Sequence, residues 1–468
     1  MEQYIVVTLG PIFDTINLAS SPAALWAGSY LFSYLNKTIC RLLTERGVAE
    51  TDILAPYYTA GADTPVGCDG VGLFHDRIIF RAGAFRIENF SEVRDAAIDH
   101  LAEAFSVERM YLQEYLLIRA AVVEAENPIL DTSNILDCLE LARPIVAGRE
   151  DDPLLSMLVG DKNYGNEGIK NLPVVRGFAN WQLRKPGGSL KSIPDIAGCS
   201  RNASMKKYHY YAIVRADGDR MGQVIADLNK DQIRDFSRKC IFYCAKVAGL
   251  VREFGGVAIY SGGDDLLAIM PCENQQGETV FEFVRQANGL FAGDFPEASL
   301  SFGVTICYHK YPLYEALEDS QKLLFADAKS SRNCMAVRLQ KHAGQSVGLL
   351  VPNQALDAFL GQYSGLAQRN DDEWLHTIHH KLKLFRHLFI RADSDLQQIR
   401  NLFANLFDAD VHTGNHLLME DLPVFYHKMK TELQIESIAD HEERQTIDVL
   451  CDFLRLCKFF VEMGGEEA

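Results

Sequence analysis

Two acidic motifs near the middle of the chain carry the residue types that bind divalent metal ions. The first is DGD at 217–219, and the second is SGGDD at 261–265. Carboxylates that converge repel one another unless a cation lies between them, and Mg²⁺ or Mn²⁺ prefers such oxygen ligands. Two metals held in this way activate a hydroxyl and stabilise the leaving pyrophosphate of an in-line displacement. We therefore predict Asp217, Asp264 and Asp265 as the catalytic, metal-binding residues of a nucleotidyl cyclase or polymerase.

The two glycines of the second motif have a separate task. Gly262 and Gly263 allow a tight turn and let the backbone approach phosphate groups closely. A GGDD run by itself is equally compatible with a polar β-turn. The DGD motif upstream supplies the structural context that an isolated match lacks.

The segments around the motifs predict the elements that position them. Strands are expected at 208–216, 257–261, 266–270 and 300–309, and helices at 221–254 and 313–329. We interpret this order as β-α-β-β-α-β, the ferredoxin-like split arrangement. In such a sheet the first strand lies beside the hairpin, so the two motifs can converge.

Two cationic residues near the end of the last of these helices are candidate phosphate ligands. Lys329 and Arg332 are three residues apart, which places them on one side of a helix end. A triphosphate beside two metals still needs cationic partners. The simpler interpretation of this pair alone is a solvated surface.

The first half of the chain begins with the same kind of pattern. Residues 3–8 predict a strand that ends at Gly10-Pro11, 22–46 a long helix, 53–58 and 71–82 strands, and 91–148 a helical region. We predict an α+β fold with two ferredoxin-like palm domains, helical insertions and a C-terminal α-helical domain. The expected domains are a first palm-like domain at 1–150, a connecting region at 151–207, a second palm at 208–345 and a helical domain at 346–468.

Composition limits the kinds of function that are compatible with this chain. A formal net charge of −17 argues against a stand-alone nucleic-acid polymerase, since phosphate contacts need a basic face. The basic loop 184–207 is either a solvated linker or an RNA contact. No long apolar run and no basic N-terminal region occur, so we expect a cytoplasmic protein with no membrane association. The 11 cysteines show neither a C-x-x-C pair nor zinc-ligand spacing, which predicts reduced, mostly buried thiols.

At the level of whole motifs, the chain resembles a known family over roughly residues 1–345. ADGDRMG at 216–222, YSGGDDLLA at 260–268 and the run at 301–329 are similar to the second palm domain of the large polymerase–cyclase subunit of type III CRISPR effector complexes. LGPIFD at 9–14 and LWAGSYL at 25–31 resemble the first palm domain of the III-B branch.

This resemblance implies an activity and a set of partners. The family converts ATP into cyclic oligoadenylate second messengers when its crRNA-guided complex binds target RNA. Metal would lie on residues matching Asp217, Asp264 and Asp265, with Asp219 as a weaker candidate, and ATP between the two palms. The residues expected to line the nucleotide pocket are Gly10, Ser29, Gly218, Ser261, Gly262, Gly263, Lys329 and Arg332. The helical C-terminal domain would be a docking surface for a small neighbouring subunit.

The departures from the family pattern define the alternatives. Many relatives begin with an HD nuclease domain, whereas here the first palm starts at residue 1, so that activity is not expected. The zinc-binding cysteine cluster of some relatives is also absent. A similar subgroup without the HD domain joins AMP to S-adenosylmethionine, and the same metal site would serve that reaction. An inactive scaffold subunit and a stand-alone diguanylate-type cyclase are further alternatives, although Leu266 and Ser331 depart from the cyclase pattern.

Overall fold

Strands and helices alternate along most of the chain. The computed structural model of the protein describes residues 2–60, 69–141, 153–159, 165–201, 204–342, 344–368, 372–392, 395–407, 417–438 and 445–462. Among these residues the strands are β1 (Glu2–Gly10), β2 (Ile53–Ala55), β3 (Arg77–Arg81), β4 (Leu117–Ala125), β5 (Tyr210–Asp219), β6 (Val257–Gly262), β7 (Asp265–Pro271), β8 (Ser299–Tyr308), β9 (Cys334–Gln340), β10 (Ser346–Pro352) and β11 (Glu436–Ser437).

The α-helices of the described residues are mostly amphipathic and pack one face against a sheet or another helix. They are α1 (Ile12–Asn17), α2 (Pro22–Glu45), α3 (Phe90–Phe105), α4 (Arg109–Tyr115), α5 (Leu130–Leu141), α6 (Pro153–Val159), α7 (Gly165–Lys170), α8 (Ile193–Ala197), α9 (Met221–Ala226), α10 (Lys230–Glu253), α11 (Val280–Asp294), α12 (Leu313–Lys322), α13 (Lys329–Ser331), α14 (Leu356–Ala367), α15 (Asp372–Leu384), α16 (Arg386–Ala392), α17 (Leu396–Leu406), α18 (Leu422–Thr431) and α19 (Thr446–Val461).

The chain divides into two compact units. The first contains 1–193, 220–269 and 290–298, and the second contains 194–219, 270–289 and 299–468. The boundaries cut the long elements β7 and α11.

The first unit is built on a four-stranded antiparallel sheet with the order β2-β3-β1-β4. With α2 between β1 and β2, and α3 between β3 and β4, this is the ferredoxin-like arrangement that the sequence predicts. β1 pairs on both sides, and its residues Tyr4–Val7 are fully buried. Tyr4, Val6, Ile79 and Val123 form a core with Ile233 of α10.

In the second unit five strands lie in the order β11-β10-β9-β8-β5. β5 and β8 are antiparallel, and β8 and β9 are parallel. The helix that follows β8 starts as α12, continues in π form from Leu323 to Ala328, and ends as α13. Its residues Leu323 and Leu324 pack into a core with Ala336 of β9. The helices from α14 to α19 give the C-terminal region its helical character.

The structure corrects several of the expected elements. β4 lies inside the region 91–148 that we expected to be helical, and α11 between β7 and β8 was not predicted at all. The expected helix 221–254 is divided into α9 and α10, because Asn229 forms a capping box that starts a new helix. Strand β5 continues to Asp219, so the first acidic motif lies inside the strand instead of following it.

The region expected to connect the domains is partly described. Residues 151–152, 160–164 and 202–203 of it lie outside the described residues. Within the first unit Trp181 packs edge-on against Trp26 of α2, with ring centroids 4.6 Å apart. Among the described helices none has the length and apolar character needed to cross a membrane.

Candidate active site

The carboxylate of Asp219 is held by a set of hydrogen bonds at the end of β5. Antiparallel pairing places Ser299 opposite Asp219 and Ser301 opposite Asp217. The hydroxyls of Ser299 and Ser301 donate to the Asp219 carboxylate at 2.8 and 2.9 Å, and the backbone N–H of Asn333 donates at 2.9 Å. Only 2% of the Asp219 side chain is exposed. Asp219 is thus a buried charge whose oxygens are already occupied by protein donors.

Lys329 supplies the positive charge that this buried carboxylate needs. Its ammonium donates to the backbone carbonyl of Asp217 at 2.9 Å and lies 3.1 Å from the Asp219 carboxylate. It also bonds the Gly218 carbonyl and forms an ion pair with the Asp217 carboxylate. The side chain of Asp217 is 22% exposed, so it is the more accessible of the two acids. We expected Lys329 to face a phosphate, and in this structure it neutralises the DGD motif.

A close approach of backbones places Lys329 beside the motif. Gly303 of β8 has no side chain, and a Cβ there would lie 3.0 Å from the backbone of Ser320 and Leu324. The helix therefore packs directly on the strand, and its π segment precedes Lys329. Such π segments are frequent at functional sites, because the extra residue changes the direction of the side chains that follow.

Arg332 is separated from Lys329 by the end of the helix. Arg332 and Asn333 have positive φ angles of 60° and 48°. The Arg332 side chain is exposed and lines a cavity of about 770 Å³ together with Gln354 and Lys430. Neither Asp217 nor Asp219 lines this cavity. The structure thus brings Lys329, but not Arg332, to the DGD motif.

Asn333 is itself positioned by a buried asparagine. The backbone N–H of Asn353 donates to the Asn333 carbonyl at 2.9 Å, and the Asn353 side-chain amide donates to the Asn333 side-chain oxygen at 3.0 Å. Sequence reasoning missed Ser299, Ser301, Asn333 and Asn353. The alternation of Ser299 and Ser301 next to a predicted strand could have indicated the first pair, whereas no pattern marks Asn353.

The second motif forms the predicted hairpin within the first unit. Gly262 pairs with Asp265, and the two-residue turn has Gly263 at a φ of +70°, a conformation that glycine adopts without strain. The backbone N–H of Ser261 donates to the Gly72 carbonyl at 2.9 Å, and a Cβ on Gly262 would lie 3.3 Å from the Leu73 carbonyl. Asp265 is exposed and Asp264 is half-buried at the tip.

Ser261 was predicted as a nucleotide ligand, but its hydroxyl has an internal partner. It is buried and donates to the Cys244 carbonyl of α10 at 3.1 Å. The thiol of Cys244 in turn donates to the Gly263 carbonyl at 3.2 Å. Ser261 therefore ties the hairpin to α10.

The two candidates from the first half lie in different surroundings. Ser29 is buried on α2 and lies close to Gly72, whose carbonyl accepts a hydrogen bond from the hairpin. A Cβ added to Gly72 would be 3.7 Å from the Ser29 hydroxyl. Gly10 lines a cavity of about 160 Å³ with Asp14, Asp76 and Glu140. No hairpin residue lines that cavity.

Burial shifts the pKa values of His75 and Asp76, two residues that lie near the hairpin. Desolvation and the charge of Arg77 lower the pKa of His75 to about 4. The backbone N–H of Arg77 donates to His75 Nδ1 at 3.2 Å, which also requires an unprotonated nitrogen there. Burial raises the pKa of the Asp76 carboxyl.

The donors around the DGD motif fit a hard divalent cation. The groups that face Lys329 are carboxylate and backbone carbonyl oxygens, which are the ligands of Mg²⁺ and Mn²⁺ and unsuited to soft metals.

The basic loop has several of its charges engaged within the protein. Lys207 pairs with Glu273 at 2.6 Å, and Arg201 donates to the carbonyls of Glu273 and Asn274 at 2.9 and 2.8 Å. These contacts fix both side chains against the second unit.

Two family models match the chain in the order of its two palm-like halves. The N-terminal domain of the CRISPR-associated protein Cmr2 matches residues 4–94. The second palm domain of Cas10/Cmr2 matches residues 210–336. The second match contains both acidic motifs and Lys329.

A curated relative agrees with these matches. The CRISPR system Cmr subunit Cmr2 of Pyrococcus furiosus is 30% identical over an alignment that covers 33% of this chain and 21% of the relative. The match therefore spans about a fifth of the relative's length.

Solved structures are similar to the chain in fold over nearly its full length. A type III-B Cmr-β complex in the apo state contains a chain similar at a TM-score of 0.64 and 12% identity, covering 97% of this chain and 81% of that one. A Csm1–Csm4 cassette in complex with cA4 is similar at a TM-score of 0.57 and 16% identity, covering 98% of this chain and 70% of the other. With both domain models matching in chain order, residues 4–94 and 210–336 are similar to the N-terminal and second palm regions of the type III CRISPR Cas10/Cmr2 family.

Proposed function

We propose that this chain is a nucleotidyltransferase of a type III CRISPR effector complex, which makes a cyclic oligoadenylate from ATP. The observation that carries the proposal is the match of residues 210–336 to the Cas10/Cmr2 second palm domain, which contains the DGD and GGDD motifs. Csm1–Csm4 cassettes, which are similar in fold, have been solved in complex with cA4 and with AMPPNP, and these ligands suggest the class of substrate.

In this proposal the acidic side chains bind Mg²⁺ or Mn²⁺. Asp217, Asp264 and Asp265 are the catalytic ligands. Asp219, the weaker candidate, supports them by holding the end of β5 through its serine and Asn333 donors. A metal bound there would supply the charge that activates the attacking hydroxyl and stabilises the departing pyrophosphate. Gly218, Gly262 and Gly263 leave the backbone open for the phosphates to approach.

The remaining candidates bind or orient the nucleotide. Lys329 would exchange part of its contact with Asp217 for a phosphate oxygen, since a bound metal would neutralise the carboxylates. Ser261 keeps the hairpin in place through its bond to α10. Ser29 and Gly10 support the substrate from the first half, and Arg332, which the structure does not bring to the DGD motif, is assigned no phosphate contact.

The experiment supplies ATP, Mg²⁺ or Mn²⁺, and S-adenosylmethionine to the guide-loaded complex with target RNA, and identifies the products by mass spectrometry. A cyclic oligoadenylate with release of pyrophosphate is the expected product. An adenylated S-adenosylmethionine would instead assign the chain to the subgroup with that acceptor. If no product forms under conditions in which a relative is active, the chain is an inactive scaffold subunit. If product forms without the other subunits, the chain is a stand-alone cyclase.

Substitutions of the acidic residues test whether they bind the catalytic metal. Asp217→Ala, and Asp264→Ala combined with Asp265→Ala, should reduce product to background, because each removes metal ligands. Asp227→Ala is the matched control, since this acid is exposed and lies outside both motifs. Activity that survives the double substitution would show that the proposed metal site is wrong.

The partners are proposed on the same basis. Relatives of similar fold are parts of Cmr and Csm assemblies, and we propose that this chain binds other type III subunits, with crRNA and target RNA held through the complex. The helices from 346 onward would dock a small neighbouring subunit. Co-purification of those subunits with the full chain tests this, and substitution of exposed Leu384 by Asp should weaken it if that surface is used.

A further inference from the structure

Three potential metal ligands converge in the second unit, at the opposite end of β5 from the DGD motif. The thiol of Cys199 and one ring nitrogen each from His209 and His309 all lie within 4.8 Å of one another. All three side chains are half-buried. Their spacing in sequence resembles no zinc motif, because 100 residues separate the two histidines.

The strand pairing explains why the histidines meet. Tyr210 of β5 is the register partner of Tyr308 of β8. His209 and His309 flank this pair, so they face each other where the two strands end. The backbone N–H of His309 donates to the His209 carbonyl at 2.9 Å, which continues the ladder to this position.

Cys199 is brought to the same place by a turn after α8. Gly198 has a φ of +89°, and the backbone N–H of Cys199 donates to the Pro194 carbonyl at 3.1 Å. The neighbouring Arg201 is fixed by its bond to the Glu273 carbonyl and lies over the Tyr208 ring at 5.0 Å. The loop that carries the thiol is therefore held against Tyr208, the neighbour of His209 just before β5.

A second observation concerns the state of the His309 ring. Its Nδ1 lies 3.0 Å from the His209 carbonyl oxygen. A carbonyl only accepts, so this contact is a hydrogen bond when Nδ1 carries the proton, and in the neutral ring the lone pair is then on Nε2. Metal-binding histidines are usually oriented in this way, with the other ring nitrogen donating to a backbone carbonyl.

We propose that Cys199, His209 and His309 bind a structural Zn²⁺ ion. One thiolate and two imidazoles form a borderline-soft donor set that suits zinc and does not suit Mg²⁺. Zn–S and Zn–N bonds of about 2.3 and 2.0 Å require the three ligand atoms to draw together by only a fraction of their present separation. Three protein ligands leave one position of the tetrahedron, which a water molecule would fill.

The position of this site argues for a structural role. β5 has the three ligands near its first residue and the DGD motif at its last residues. Nine residue steps of a strand correspond to about 30 Å. An ion at this distance takes no part in phosphate chemistry, and it would join the loop after α8 to the ends of β5 and β8.

The test measures metal in the full chain. After reconstitution with zinc and dialysis, elemental analysis should give roughly one Zn²⁺ per chain. Cys199→Ser and His309→Gln should each weaken zinc retention by at least about tenfold. Cys138→Ser and His387→Gln are the matched controls, because both residues are exposed and lie elsewhere. A wild-type chain that retains no zinc, or ligand variants that retain as much as the controls, would overturn the proposal.

A second measurement needs no variant and so does not depend on variant folding. Zinc should slow alkylation of Cys199 in the wild-type chain by about tenfold or more, and a chelator should restore the rate. Cys138 serves as the internal control, since its rate should not respond to zinc. Equal rates for Cys199 with and without zinc would contradict the assignment, whatever the nucleotidyltransferase assay shows.

Discussion

Asp217 and Asp219 lie two residues apart on one strand and share Lys329, but their surroundings differ. Asp219 is buried and accepts from two serine hydroxyls and a backbone N–H. Asp217 is partly exposed, and within the described part of the chain its charge is balanced by the ammonium of Lys329. Asp219 is therefore suited to hold the end of β5 in place, and Asp217 is suited to exchange partners.

This difference predicts unequal effects on stability. Asp219→Ala should lower the free energy of unfolding by about 2–4 kcal/mol, because it leaves several buried donors without an acceptor. Asp217→Ala should cost less than about 1 kcal/mol, since Lys329 keeps Asp219 as a partner. Urea titration measures both. Equal losses for the two variants would contradict the division of roles.

A second prediction concerns the counter-charge. Lys329→Met leaves Asp217 and Asp219 without a cation, so this variant should be less stable than wild type by roughly 1–3 kcal/mol. Added Mg²⁺ should raise its melting temperature more than that of wild type, because the metal replaces the ammonium. The exposed Lys322→Met is the control, and its response to Mg²⁺ should match wild type. A variant as insensitive to Mg²⁺ as the control would argue against metal binding at these acids.

A third prediction follows from His75. Its folded-state pKa of about 4 lies below the ordinary value of 6.5. Between these values the unfolded chain binds a proton that the folded chain does not, so stability falls as the pH drops through 6.5 toward 4. His75→Gln should remove part of this loss, up to about 1.4 kcal/mol per pH unit. Urea titrations at pH 7.5 and 5.5 test it, with His387→Gln as the exposed control. An unchanged pH dependence in His75→Gln would refute the assignment.

At the scale of elements, the contact between β8 and the helix after it depends on one missing side chain. Gly303→Ala places a methyl group 3.0 Å from two backbone atoms, which should cost about 1–3 kcal/mol as the helix is forced away from the strand. It should also reduce product formation, because Lys329 moves with the helix.

The matched control is also a glycine-to-alanine substitution, but one that should raise the stability of the protein. Gly289 lies on the exposed side of α11, and a Cβ there meets nothing within 4 Å. Gly289→Ala should stabilise the protein by up to about 1 kcal/mol, since alanine favours the helix. Destabilisation by both substitutions would show that packing at Gly303 is not the cause.

The elements also show how much of the fold is readable from sequence. The strands that carry the two motifs were predictable, because β-branched residues alternate there between turn signals. β4 was not, since three of the nine residues of LIRAAVVEA are alanine and its strand state depends on pairing with β1. For the same reason the motif residues were found, while the serines and Asn333 that hold Asp219 were missed. Those contacts depend on strand register and on a helix end, neither of which residue spacing reveals.

At the scale of the whole molecule, the second unit is completed by elements distant in sequence. β10 pairs with β9, and α19 packs its buried face on the same unit. A chain ended after His342 loses β10 and α19 and should therefore fail to fold as a soluble second unit. A chain ended after Glu462, which retains every described element, is the control for expression and urea denaturation. A cooperative unfolding transition of the shorter chain, with the wild-type dependence on urea, would contradict this.

The contact between Tyr210 and Phe459, whose rings lie 4.8 Å apart, has a consequence for synthesis on the ribosome. Tyr210 leaves the exit tunnel long before Phe459 is made, since about 250 residues separate them. At about 5–20 residues per second this interval is roughly 10–50 s. Throughout it, the apolar face that α19 covers in the finished protein stays open to water. We therefore expect the nascent chain to depend on chaperones late in translation, and slow codons ahead of residue 446 to lengthen that dependence.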